Sequence, residues 1–156
     1  MDLVSKRIRL GTVMPEQHKR LVELHHSVQK AAADAGLDPL LIELVKNRVS
    51  QINGCAFCLD MHVREARQLG ETDRRIYLLP VWRESPDYSE QERAALALAE
   101  AITGIATTQD VPDDVYDEAT RVFTEQQYGV IVWAATVMNA FNRLNVTSRT
   151  PVPTLK

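Results

Sequence analysis

The sequence predicts an all-α fold: one domain over residues 1–156, a bundle of six or seven helices with its core from about residue 15 to 147. Three observations carry that expectation. Apolar residues recur three and four apart through most of the chain, as on one face of a helix. Helix-start chemistry repeats: Pro15, Pro39 and Pro112 each open a segment, and Ser89-Glu90-Gln91-Glu92 and Thr124-Glu125-Gln126-Gln127 are capping boxes. No convincing strand pattern, internal repeat or low-complexity segment is present.

Residues 1–14 have no strong period and read as extended. The first helix runs from Pro15 to about Ala35, before Gly36, with Leu21, Leu24, Val28 and Ala32 on its apolar face. It carries His18, His25 and His26. His18 and His25 share a face, a spacing open to metal binding, although solvated or interface histidines are the commoner outcome. Asp38 caps a second helix, which Pro39 starts and which extends through about Gln51. Leu40, Leu41, Leu44, Val45 and Val49 make it strongly apolar and therefore central. Glu43 sits among them, and a carboxylate on a largely buried helix costs free energy unless it is paired. It can point outward or bond Lys46 or Asn47 on its own helix, or it can meet a histidine on the adjacent one.

Asn53-Gly54 is a turn signal, and the next helix extends toward Gly70. Met61, Val63, Ala66 and Leu69 give its apolar spacing; Arg64, Glu65, Arg67 and Gln68 lie on the wet side. Thr72 and Asp73 begin a short helix that Pro80 limits, with Trp82 expected in the core. The capping box at Ser89 starts a helix through about Ile105, whose alanines allow close packing. Thr107 to Asp110 reads as a turn. Pro112 opens a helix to about Phe123, with Asp113 and Asp114 in the first turn, where the helix dipole favours negative charge. The last helix runs from about Glu125 to Leu144. Its stretch Val130 to Ala135 is apolar nearly all round, so it should be buried in the protomer or at an interface. The tail from Ser148 should be irregular.

At this length, 45% hydrophobic residues can furnish one core. A net charge of −3 with no basic tract does not favour nucleic acid or an anionic membrane. No apolar run reaches the ~18 residues of a membrane span, and residues 1–10 lack an apolar signal region, so a cytoplasmic protein is expected. In that compartment two cysteines close together are more often catalytic or metal-binding than a structural disulfide.

Both cysteines lie in Gly54-Cys55-Ala56-Phe57-Cys58-Leu59-Asp60-Met61-His62. On a helix, offsets of three and four place Cys55, Cys58 and His62 in one stripe. A thiol attacks as thiolate, and its ordinary pKa is about 8.5. Three features here lower it: the free N–H groups of a helix N-terminus, a second sulfur within hydrogen-bonding reach, and an imidazole able to take the proton. Residues three apart on a helix lie roughly 5 Å apart, within the range a disulfide spans. Core cysteines and a metal half-site completed by His62 are the alternatives. No second Cys or Cys/His pair is present to complete a structural zinc site.

The run Leu41 to Gly54 leads straight into the cysteines, and Glu43 completes the pattern E-x11-C-x2-C-x3-H. This resembles the active-site signature of the alkylhydroperoxidase AhpD-like group within the carboxymuconolactone decarboxylase family. Pro80-Val81-Trp82-Arg83, Ser89 to Leu96 and Met138-Asn139-Ala140-Phe141-Asn142-Arg143 also read like segments of that family. The resemblance implies the AhpD-like helical fold and a thiol-dependent peroxidase or disulfide oxidoreductase with an antioxidant role. Cys58 would be the attacking thiolate, Cys55 the resolving thiol, His62 the proton relay and Glu43 its orienting acid. It implies a hydroperoxide substrate, a thiol or lipoyl-type protein reductant, a homo-oligomer (trimer or hexamer), and no bound cofactor or metal. Where AhpD proper has a histidine before the second cysteine, this chain has Phe57. The alternatives are the lactone decarboxylation of the family's name, against which the C-x-x-C pair counts, and a non-catalytic redox-sensing oligomer.

Overall fold

The computed structural model describes residues 6–154. They form nine α-helices: α1 (Leu10–Val13), α2 (Pro15–Asp34), α3 (Pro39–Asn53), α4 (Ala56–Gln68), α5 (Asp73–Leu78), α6 (Glu90–Thr103), α7 (Ile105–Thr108), α8 (Asp113–Val122) and α9 (Glu125–Ser148). A 3-10 segment, Leu79–Glu84, continues α5. No strand occurs among the described residues, and the all-α fold stands as predicted.

The second apolar segment of the sequence is the axis of the molecule. Helix α3 packs against α4, α6 and α9 at once. Leu41, Ile42, Leu44, Val45 and Val49 are buried on it, and so are Glu43, Lys46, Asn47 and Ser50. A helix enclosed on all sides has no wet face for its polar residues, so each must find a partner in the protein. Asp38 accepts a hydrogen bond from Leu40 N at its start, as the sequence implied. The two capping boxes, at Ser89 and Thr124, are both formed.

Three boundaries differ from the sequence reading. Residues 10–13, expected to be extended, form a helical turn beside α2; residues 1–5 lie outside the described part. Ile105–Thr108 is a short helix, and the turn follows it, with Gln109 at φ 57°. Helix α5 ends at Leu78, short of Pro80 as expected, and the chain continues in the 3-10 form, where proline is tolerated near the start. Helix α9 runs past Leu144 to Ser148. In α9, Val130, Ile131, Ala134 and Ala135 are buried, but Trp133 is 53% exposed and lines a shallow groove with Leu24 of α2. No described helix is long and apolar enough to cross a membrane.

Candidate functional site

Two residues separate α3 from α4, and they set the site. Gly54 closes α3 at φ 67°, a left-handed conformation that glycine adopts without a Cβ penalty. Cys55 N then donates to Ser50 O at 3.0 Å, closing the helix end. The same Cys55 is the N-cap of α4, in extended geometry, and its Sγ accepts from Cys58 N at 3.3 Å. A sulfur thus stands where a serine or aspartate oxygen usually caps a helix. Cys55 is therefore not itself helical, but the cap still brings it against Cys58, and both thiols are free and buried.

The two sulfurs differ in charge preference. The hydrogen bond from the Cys58 thiol, with the Cys58 N–H, lowers the Cys55 pKa to about 7 despite burial. The Cys58 thiol is pushed well above the ordinary value, first by sharing its proton with Cys55 and then by burial. The pair releases one proton near neutrality and holds the other, as coupled sites do. Asn145 of α9 donates from Nδ2 to Cys58 Sγ at 3.5 Å, a contact the sequence reading missed because it joins residues 87 apart.

Glu43 meets both of the partners that the sequence left open. Its Oε1 accepts from Lys46 Nζ at 2.5 Å, and its Oε2 lies 3.0 Å from His62 Nδ1 on α4. The same Nδ1 lies 3.0 Å from Glu65 Oε2. Asn47 Nδ2 donates to the carbonyls of Glu43, at 2.9 Å, and His62, at 3.1 Å, tying the two helices together. With two carboxylates at Nδ1, that nitrogen carries the hydrogen. Burial works against the charged imidazole, yet the bonds to Glu43 and Glu65 outweigh it and hold the His62 pKa above its ordinary value. His62 Nε2 is buried and has no hydrogen-bond partner. A buried unsatisfied nitrogen is rare enough to need a reason.

The reason lies in front of it. His62 and Cys58 both line a cavity of about 990 Å³ between α2, α4 and α9, whose wall also carries Phe57, Met61, Met138 and Phe141. Cys55 does not line it. Residues Leu10 to Thr12 of α1 form part of its rim. His18, His25 and His26 border the same space, so they are cavity residues and not merely solvated ones. His25 and His18 set their rings edge-on to Phe141, at 6.0 and 6.3 Å between centroids. Burial lowers the His25 pKa to about 4, so it is neutral at physiological pH. Glu43, His62 and Glu65 place three potential ligand atoms within 4.8 Å of one another, which is the arrangement a metal could use. The Lys46 ammonium already sits on Glu43 and opposes a second cation there.

Comparison with known proteins identifies the family. Residues 15–101, which include Glu43, both cysteines and His62, match the sequence profile of the carboxymuconolactone decarboxylase family. The chain belongs to that family. It is 38% identical over 143 residues to the uncharacterized protein YdfG of Bacillus subtilis (strain 168), covering 92% of this chain and 94% of that protein. It is 37% identical over 75 residues to the uncharacterized protein YnjA of Escherichia coli (strain K12), covering 47% of this chain and 41% of that one. Among solved structures it is similar to ATU0492 of Agrobacterium tumefaciens, a protein of unknown function named as a candidate antioxidant defence protein AhpD. The TM-score is 0.87 and the identity 41%, over 96% of this chain and 99% of that one. The debrominase Bmp8, solved as a cysteine-to-alanine variant in complex with 2,3,4-tribromopyrrole, shares the fold at 20% identity and a TM-score of 0.78, over 91% of this chain and 73% of that one. The AhpD-like fold expected from the cysteine signature is thus the fold of this family member.

Proposed function

We propose that the chain is a thiol-dependent peroxidase and disulfide oxidoreductase in which Cys58 attacks a hydroperoxide and Cys55 closes the disulfide. The observation that supports this most is the shared cavity wall. It brings together Cys58 and His62, whose Nε2 has no hydrogen-bond partner, with Glu43 holding the other ring nitrogen. Transfer of the shared proton from Cys58 to Cys55 or His62 leaves the negative charge on the sulfur that faces the cavity. The Cys58 thiolate attacks the terminal oxygen of R–O–O–H. An S–O bond forms, the O–O bond breaks, and the sulfur is oxidised by two electrons to the sulfenic acid. The alkoxide leaves with the proton that imidazolium His62 supplies, as the alcohol. Cys55 then attacks the sulfenic sulfur; the S–S bond forms and water departs. A thiol or lipoyl-type protein returns two electrons and two protons and reopens the pair.

The cavity's volume lies at the upper end of ligand sites, about 300–1,000 Å³, and its aromatic and thioether walls suit a bulky apolar R group better than hydrogen peroxide itself. The reading includes a homo-oligomer, for which the exposed Trp133 beside Leu24 is the supporting feature. Stopped-flow consumption of cumene hydroperoxide with a dithiol reductant tests the activity. Wild type should turn over and Cys58→Ser should fall to the background rate; equal decay in both removes the peroxidase assignment. Sizing of reduced and oxidised protein belongs beside it, since a state-dependent mass without turnover describes a redox sensor. Stoichiometric zinc in protein purified without chelator would displace the thiol reading.

A further inference from the structure

We propose that Asn145 is the donor that carries negative charge on Cys58, so that an amide on α9 decides which of the two sulfurs is the nucleophile. This rests on the thiol reading above and adds a residue to it. The helix N-terminus alone does not favour Cys58. Its backbone N–H is spent on Cys55 Sγ, so the cap geometry of α4 draws charge to the sulfur that lies behind the cavity. Charge has to appear on the sulfur in front for attack to occur, and that requires a donor from elsewhere.

Asn145 meets the requirement by geometry. Its Nδ2 donates to Phe141 O at 3.0 Å, one turn back along α9, and to Cys58 Sγ at 3.5 Å. An amide nitrogen has two hydrogens, and these two contacts use both. Flipping the amide would set its oxygen against the Phe141 carbonyl oxygen, a repulsive contact, so the donor orientation is favoured. A contact of this length is weak to a neutral thiol and charge-assisted to a thiolate, so it favours the charged form selectively. Asn145 itself lines the cavity. Asn142, buried and one turn earlier, donates to Ser50 Oγ at 3.1 Å and to Met138 Sδ at 3.6 Å. Asn142 lowers the pKa of both sulfurs, ahead of Asn145 at Cys58, and so does not distinguish them; the pull of Asn145 falls on Cys58.

The test isolates Cys58 in a Cys55→Ser background, where the serine retains the helix cap, and follows alkylation by iodoacetamide against pH. Adding Asn145→Ala should raise the midpoint by at least about half a unit, or about threefold slower alkylation below the midpoint. Asn145→Asp, equal in size but unable to donate when ionised, should slow it by about tenfold, and Asn145→Gln, which keeps the amide, should recover part of the alanine loss. Unchanged midpoints in the alanine and aspartate variants overturn the proposal, even if their melting temperatures fall, because a purely structural residue would move only the latter. Alkylation needs no peroxide. A protein that fails in turnover but shows these shifts loses the peroxidase reading and keeps this one; the reverse result does the opposite.

Discussion

Two charge clusters flank α3, one half-buried and one buried, and they are finished differently. Toward α5 and α6, buried Glu71 accepts from Arg75 Nε at 2.9 Å and from Thr72 N at 2.9 Å, while Glu92 takes Arg75 Nη2 at 2.5 Å and Ser89 N at 2.8 Å. Glu100 binds Arg48 at 2.8 Å, Trp82 Nε1 at 2.9 Å and Arg83 at 2.5 Å. Arg93 spends its guanidinium on the carbonyls of Trp82, Arg83 and Ser85. The carboxylates there are saturated, and the cluster closes on itself. Toward α2 and α9, the Glu43, Lys46 and His62 group is more deeply buried, yet it leaves His62 Nε2 without a partner at a cavity wall. A closed network fixes a fold. An open one holds a bond in reserve for a molecule that is not part of the chain.

The comparison is broken most forcefully by removing one carboxylate from each side. Glu43→Ala strands Lys46, 2% exposed, as an unpaired buried cation, at a cost of about 3–5 kcal/mol. At about 2–4 °C per kcal/mol for a chain of this size, its melting temperature should drop on the order of 6–20 °C. It should also lose turnover by at least about a hundredfold, as general acid–base catalysis does when its base is misoriented. The sign with pH is defined. The His62 pKa is raised by Glu43, so this part of the stabilisation is full below the ordinary histidine value of about 6.5 and disappears as pH rises through the folded value. The stability gap between wild type and Glu43→Ala should narrow accordingly above neutral pH. Arg75→Met should destabilise by a similar order, since Glu71 and Glu92 lose their common partner. Its thiol alkylation profile should nevertheless match wild type. A shifted profile in Arg75→Met would show that the two clusters are not separate in role.

The sequence made the helices and one half of the site legible, and the reason is range. Caps, prolines and apolar periods act within a turn or two, so α2, α3, α6, α8 and α9 could be read locally, as could the Cys55, Cys58 and His62 register. The Glu43–His62 contact, 19 residues apart, is expected because a carboxylate on a buried helix needs a partner and because the family resemblance implies His62. Whether Lys46 or His62 would take the carboxylate was left open, because each oxygen can serve a different partner and only packing shows that both do. Asn145 and the three cavity histidines were not readable as site residues. Their helices meet the cysteines only after the chain has folded back across the bundle. The helical turn at residues 10–13 escaped because four residues carry no period; what places it is its packing on α2 and Leu10 N donating to Ser148 Oγ at 3.5 Å.

A smaller effect sharpens the thiol side. With the Cys55 pKa lowered to about 7, the first thiol of the reduced protein should titrate near that pH, and its thiolate should vanish as pH falls below it. The largest cause is the hydrogen bond from the Cys58 thiol, so Cys58→Ala should return Cys55 toward the ordinary value of about 8.5. Ultraviolet thiolate absorbance against pH reads this directly. A Cys55 midpoint that stays near 7 in Cys58→Ala would mean that the helix cap alone holds the charge, and the proton shared between the sulfurs would drop out of the mechanism.

The smallest effect comes from Glu65, which touches the same His62 nitrogen as Glu43 but is far more exposed: 42% of its side chain is accessible against 6% for Glu43. Water screens the outer carboxylate, so its bond to the imidazole should contribute no more than about 0.2–1 kcal/mol. The hydrogen bond with His62 also keeps the Glu65 carboxyl below its ordinary value, so the pair is ionic in the folded protein. Glu65→Gln should therefore lower the His62 midpoint, followed by NMR, by less than about 0.7 unit at about 1.4 kcal/mol per unit. The thermal midpoint should barely move, because Glu43 still occupies Nδ1 and Lys46 remains paired. Equal losses in Glu65→Gln and Glu43→Ala would mean that the rim carboxylate orients the imidazole. The buried Glu43–Lys46 pair would then belong with the closed cluster on the other side of α3, as part of the scaffold.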